Sequence, residues 1–120
     1  MKLQRSKLMR GQAEKFCRCY DNGGMDEGGS FDQYTVCYTG RYRHKTERCQ
    51  WYVGMSTYPF HPQGFGQHGE SKPCESIDTN KSGFAPAIGR KNHLGTRIPF
   101  KTLPEDCKKL VVRDIIDLWS

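Results

Sequence analysis

The last nineteen residues constrain the fold more than any other stretch. From Leu103 onward, Cys107, Leu110, Val111, Ile115 and Leu118 recur at spacings of three and four, which lays one apolar stripe along an amphipathic helix. Thr102-Leu-Pro-Glu105 fits a capping box, with the Thr102 hydroxyl and the Glu105 carboxylate positioned for the exposed amides of the first turn. Pro104 falls where a missing amide donor is harmless, and Trp119 closes the helix end. A single helix of this kind cannot bury its stripe alone. It needs a partner layer, and the rest of the chain must supply one.

That layer is a hairpin. Tyr34, Val36, Tyr38 and Tyr42 alternate with Thr35, Cys37, Thr39, Arg41 and Arg43, which predicts a strand over 34–43. Cys49, Trp51, Val53 and Met55 alternate within a second strand over 48–57. The short connection His44-Lys-Thr-Glu47 makes the pair antiparallel. Lys15 to Tyr20 alternates well enough for a further strand, stopped by the turn signal Asp21-Asn-Gly-Gly24. Arg97-Ile-Pro-Phe100 is expected as a short edge strand. The predicted architecture is α+β: a small antiparallel β-sheet with a C-terminal amphipathic helix packed on one face, on the side of Trp51 and Val53, and long Gly/Pro-rich loops.

The chain has 120 residues, the length of one domain. Residues 1–14 are polar and basic, with Leu3, Leu8 and Met9 too sparse to pack firmly, and they are expected to be a flexible arm ahead of a single domain over 15–120. No apolar run approaches the roughly 20 residues of a membrane span. The N-terminus, with Lys2, Arg5, Lys7, Arg10 and Lys15, lacks the apolar stretch of a signal peptide. The expected location is a cytoplasm, where cysteines stay reduced. Cys37 and Cys107 occupy positions suited to a small buried apolar residue.

Four groups of residues are candidates for chemistry. The densest runs from Pro59 to Glu70, within a stretch over 59–89 that shows no sustained period and is expected to be loop. Here His61, Gln63, Gln67, His68 and Glu70 surround Phe60 and Phe65, a mixture of polar groups and apolar anchors suited to recognition. His61, His68 and Glu70 are also weak metal-ligand candidates, although His-x6-His-x-Glu matches no standard zinc spacing. A second group is Cys17-x-Cys19 with Cys49 or Cys74, which lacks the second close pair of a zinc site. The third is an acidic turn of Asp21, Asp26, Glu27 and Asp32, without the alternating ligands of a calcium loop. The fourth is the aromatic and basic mixture of Tyr34, Tyr38, Arg41, Tyr42, Arg43, Trp51, Tyr52 and Tyr58. It suits either a base-stacking surface or simply a core and its rim.

The net charge of +6 is clustered. Besides the N-terminus, Arg41, Arg43, Lys45 and Arg48 form one basic face, and Arg90, Lys91 and Arg97 another. Clusters of this kind bring nucleic acid or an acidic protein surface into view as partners, beside the plainer alternative of a solvated face.

Several blocks together resemble a family of small accessory proteins encoded by bacteriophages and prophages. They are Asp21-Asn-Gly-Gly24, Asp32-x-Tyr34-Thr-Val36, the block from Pro59 through Gly-Phe-Gly-Gln-His-Gly-Glu70, and His93-Leu-Gly-Thr-Arg-Ile-Pro-Phe100 with Leu103-Pro-Glu-Asp106. The resemblance spans about residues 19–119 and brings no activity with it. It implies a viral protein in the cytoplasm of a bacterial host. The expected function is a non-enzymatic protein that binds a host component, a host protein first, to blunt a defence or redirect a host process, with the 59–70 segment as its binding loop. No cofactor is expected. Two alternatives are a small metal-assisted hydrolase or nuclease using His61, His68 and Glu70, and a nucleic-acid-binding module using the arm and Arg41, Arg43 and Arg48.

Overall fold

The computed structural model describes residues 3–38, 50–57, 66–74 and 85–119, with the backbone alone at 50, 51, 66–74 and 119. Strand β1 (Cys17–Asp21), β2 (Tyr34–Tyr38), β3 (Gln50–Ser56) and β4 (Gly66–Cys74) form an antiparallel meander. A short hairpin of β5 (Lys91–Asn92) and β6 (Gly95–Ile98) joins it through β6, in the order β4-β3-β2-β1-β6-β5. Helix α1 (Arg5–Met9) precedes the sheet and α2 (Glu105–Trp119) follows it. The α+β class and the antiparallel β2–β3 pair are as the sequence predicts, with Tyr34 opposite Met55, Val36 opposite Val53 and Tyr38 opposite Trp51.

Side-chain alternation decides which face receives the helix. Cys17, Cys19, Val36, Tyr38, Val53 and Met55 share one face and are buried, together with Cys107, Val111, Val112 and Ile115 of α2. The stripe of α2 is centred on Cys107, Val111 and Ile115. Val112 on one flank is fully buried, while Leu110 on the other is only partly so. Tyr38 is buried among these apolar groups, so its hydroxyl needs a partner, and it donates to Asp114 Oδ2 at 2.7 Å. A tyrosine committed in this way is not a stacking surface for bases. The opposite face is also covered at its centre, where Tyr20 and Cys37 are fully buried.

Four expectations need correction. The N-terminal residues expected to be a flexible arm are packed from Leu3 onward: Leu8 and Ala13 are fully buried in the core beside α2. Few apolar residues suffice there because a one-turn α-helix and a 3₁₀ turn (Gln12–Lys15) bring them to one side, and Glu14 accepts the Phe100 amide. The capping box is not made. Thr102 Oγ1 donates to the Pro99 carbonyl at 2.7 Å within a 3₁₀ turn, and Glu105 pairs with Lys108 at 3.1 Å. Of Arg97-Ile-Pro-Phe100, expected as an edge strand, only Arg97 and Ile98 are in a strand, and that strand, β6, lies between β1 and β5. Finally, the stretch expected to be loop over 59–89 contains the nine-residue strand β4. It draws its backbone partners from β3, an arrangement that local propensity does not report.

Topology places the turns. The upper ends of the strands carry the β1–β2 connection over 22–33, the β5–β6 turn at His93 and Leu94, and the ends of β3 and β4 at Ser56 and Gly66. The lower ends carry Tyr38, Gln50 and Cys74.

Candidate functional site

The β1–β2 connection is organised around two side chains. Asp21 Oδ1 accepts from Gly23 N at 2.8 Å and from Gln33 Nε2 at 3.0 Å, which ties the start of the loop to its end. Asn22 does more. Its Oδ1 accepts from Gly24 N at 2.8 Å and Ser30 N at 3.3 Å, and its Nδ2 donates to Ser30 Oγ and to the Asp32 carbonyl, both at 2.9 Å. A 3₁₀ turn (Met25–Glu27) sits inside this mesh, closed by Gly28 in the left-handed region at φ 77° and by Gly29 N donating to the Gly24 carbonyl at 2.7 Å. Gly29 is required by space, because a Cβ there would run into Asn22 Oδ1 and the Asn22 carbonyl. Amides that would otherwise need water or a partner are satisfied internally, which fixes the shape of the loop.

The β5–β6 hairpin stands against this loop. Asn92 Oδ1 accepts from Leu94 N at 2.9 Å and tightens the turn, and Gly95, at φ 120°, lies flat on the Asp21 carbonyl where no Cβ fits. Between loop and hairpin opens a cleft of about 570 Å³, lined by Asp21, Glu27, Lys91, Asn92, His93 and Ile98 among others. One wall carries carboxylates and the other an ammonium and an imidazole. A cleft of this kind can hold a ligand segment bearing both signs of charge, or a polar chain that hydrogen-bonds to both walls. The motif blocks Asp21-Asn-Gly-Gly24 and His93 to Phe100, far apart in sequence, are therefore neighbours here through the β1–β6 pairing of Asp21 with Thr96 and Cys19 with Ile98.

The sequence-predicted sites fare differently. Phe60, His61, Gln63 and Phe65 lie outside the described residues, as do Arg41, Arg43, Arg48 and Cys49. Gln67, His68 and Glu70 belong to β4, a strand and not a loop, with Gln67 opposite Met55 and His68 opposite Gly54. From Tyr52 to Gly54 β3 advances two residues while β4 advances four, from Lys72 to His68, so β4 bulges next to Glu70. Asp32 of the β1–β2 connection packs over Gly54, where a Cβ would press on its carboxylate at 3.3 Å. The connection thus reaches β3 beside the register position of His68.

Among the described residues, no three His, Cys, Asp or Glu side chains gather to hold a metal ion. Cys17 and Cys19 are buried free thiols with their sulfurs 3.9 Å apart. The hydrogen bond it shares with Cys17, together with burial, pushes the Cys19 pKa well above the usual thiol value. A thiol held protonated is a poor ligand and a poor nucleophile. Cys74, offered as a further ligand, stands on β4, three strands away from β1. Cys107 is raised to about 11, chiefly by burial and then by the charge of Asp106. Tyr34, opposite Asp21 in the β1–β2 register, is raised by burial and by the Asp21 charge.

Sequence reasoning identified Asp21-Asn-Gly-Gly24 as a turn and Lys91 as one of a basic group, but did not join them. The available signal was Asn92-His-Leu-Gly95, a polar turn ending in glycine between two short extended stretches. The chain matches no protein-family model, no curated protein and no solved structure. Among the described residues no helix is long and apolar enough to cross a membrane.

Proposed function

We propose that this is a binding protein, and that it captures a protein partner at the upper end of its sheet, through the cleft between the 22–33 loop and the β5–β6 hairpin. The resemblance to phage and prophage accessory proteins extends the proposal to a component of a bacterial host cell, in its cytoplasm, with capture serving to blunt a defence or redirect a host process. The observation that carries the reading is the Asn22-centred mesh. Ordering a glycine-rich loop costs roughly 1–2 kcal/mol of backbone entropy per residue, and this loop contributes few residues to the core. A rigid polar rim beside a cleft lowers the ordering cost of binding, because the shape exists before the partner arrives.

The test is capture from bacterial lysate on immobilised protein, comparing wild type with Asn22→Ala and with the double variant Lys91→Ala/His93→Ala. Asn22→Ala leaves the Gly24 and Ser30 amides without their acceptor and is expected to lower stability by about 1–3 kcal/mol. The double variant touches exposed side chains only, and its melting temperature should match wild type. The reading expects one defined host polypeptide on wild type and its loss from both variants. Undiminished capture by the double variant and by Asn22→Ala would remove the upper end from consideration. Retention that disappears on nuclease treatment would replace a protein partner with a nucleic acid.

A further inference from the structure

We infer that the partner segment docking on the 22–33 loop is cationic and carries an apolar side chain that seats between Met25 and Phe31. The inference rests on the proposed binding role and specifies the chemistry of what is bound.

Two independent features of the loop point to it. The first is charge. The chain carries +6 overall, yet no Lys or Arg occurs from Cys19 to Gly40, and Asp21, Asp26, Glu27 and Asp32 all fall in that interval. Asp21 is occupied in holding the loop together, whereas Asp26 and Glu27 are exposed on its outer turn. Lys91 and His93 stand across the larger cleft from Glu27, but the exposed charges of the loop's own outer turn are both carboxylates, which attract a basic segment. The second is apolar exposure. Met25 and Phe31 are 40% and 39% exposed, large side chains left in contact with water. They flank a cavity of about 160 Å³ floored by Gly24, Gln33 and Thr57, separate from the larger cleft although both share Gly23. Its size suits one side chain of a partner.

The loop holds these two anchors rigidly. Gly24 has φ 70° and lies so close to Gln33 that a Cβ would sit 2.9 Å from its side-chain oxygen. Met25 opens the 3₁₀ turn and Phe31 stands between Ser30 and Asp32, whose side chain and carbonyl are fixed by Asn22. Apolar anchors on a pre-ordered support, rimmed by charge, form the usual pattern of an interface hot spot. An arginine-rich segment with one leucine, methionine or aromatic residue satisfies both features at once: its guanidinium groups reach Asp26 and Glu27 while the apolar residue fills the cavity.

The experiment uses the full chain and three short fluorescent peptides followed by anisotropy: alternating Arg and Leu, alternating Glu and Leu, and alternating Arg and Ser. The Arg/Leu peptide should bind at least roughly tenfold more tightly than either of the others, and its binding should weaken with added salt. Met25→Ser/Phe31→Ser should lose about tenfold in affinity with an unchanged melting temperature, and Asp26→Asn/Glu27→Gln should lose the salt dependence. Equal binding of all three peptides, or full affinity in Met25→Ser/Phe31→Ser, overturns the inference. Concentration-dependent self-association of the chain, abolished by Met25→Ser/Phe31→Ser, would also overturn it by making a second copy the occupant. If the lysate partner is lost from Asn22→Ala yet kept by Met25→Ser/Phe31→Ser, the binding role stands and this inference fails. If Asn22→Ala and Lys91→Ala/His93→Ala also keep the partner, the upper end of the sheet is not the binding surface and the proposed site itself fails.

Discussion

Two glycine-rich segments of this chain end in opposite structures. The connection over 22–33 holds Gly23, Gly24, Gly28 and Gly29 and is an ordered turn; the stretch that includes Gly66 and Gly69 is a strand at the edge of the sheet. The difference lies in where their backbone hydrogen bonds go. In the first segment Asp21 and Asn22 stand immediately before the glycines and offer carboxylate and amide oxygens to amides a few residues on, so the segment satisfies itself. In the second the backbone partners come from β3, and a bulge beside Glu70 absorbs the irregular pairing. Glycine content reports what a backbone can adopt, and the neighbouring acceptors decide what it does adopt.

The largest expected break in this comparison is at Gly95. The self-satisfied turn is also braced from outside, with Gly95 against the Asp21 carbonyl and at a positive φ of 120°. Gly95→Ala adds a steric clash with backbone to an unfavourable left-handed conformation, and together these should cost about 2–4 kcal/mol. Chemical denaturation measures that loss. An effect below about 1 kcal/mol would mean that loop and hairpin separate without consequence, and the cleft between them would lose its claim to a fixed shape.

Alkaline pH tests the footing that both segments share. Tyr38 of β2 and Cys107 of α2 both lie in the core, and both have raised pKa values: Tyr38 well above its usual value through burial and the adjacent Asp114, Cys107 to about 11 through burial and Asp106. In the unfolded chain Cys107 loses its proton near its ordinary value of 9.0. Between there and about 11 the unfolded state ionises while the folded state does not. Stability is therefore full below pH 9 and falls as pH rises through 11, by on the order of 2 kcal/mol for this thiol. Cys107→Ala should flatten that slope in melting curves taken from pH 8 to 11, and an unchanged slope would assign it to Tyr38 or to Cys19.

The helix and the β2–β3 hairpin were legible in the sequence because each carries its own period: Cys107, Val111 and Ile115 at helical spacing, Val36 opposite Val53 and Tyr38 opposite Trp51 at strand spacing. β4 was not legible. Gly66-Gln-His-Gly-Glu-Ser-Lys-Pro-Cys74 contains no β-branched or aromatic residue and no alternation of apolar and polar groups, so its extended form comes from pairing. The N-terminal segment was missed for a related reason. Leu3, Leu8 and Ala13 define no period, yet two short helical turns deliver all three to the core. The turn at Asp21-Asn-Gly-Gly24 was visible as a turn, but its meeting with His93 and Gly95 depends on β6 joining β1, a pairing across more than seventy residues that local patterns do not encode.

The finest test of the comparison sets one glycine of each segment against the other. Gly28 sits at φ 77° and ψ 13° with nothing within 4 Å of where a Cβ would stand. Space is no obstacle there, so Gly28→Ala isolates the conformational term, a loss of about 1 kcal/mol for placing an L-residue in the left-handed region. Gly66 begins β4 opposite Ser56, paired into a strand. Gly66→Ala narrows the unfolded ensemble and should stabilise the protein by about 0.4–1 kcal/mol. Opposite signs in urea denaturation are the expected result, since only the first glycine is required by its backbone. Two losses of similar size would place Gly66 in the same category as Gly28, and the division between a self-bonded turn and a strand-paired edge would no longer explain where this chain puts its glycines.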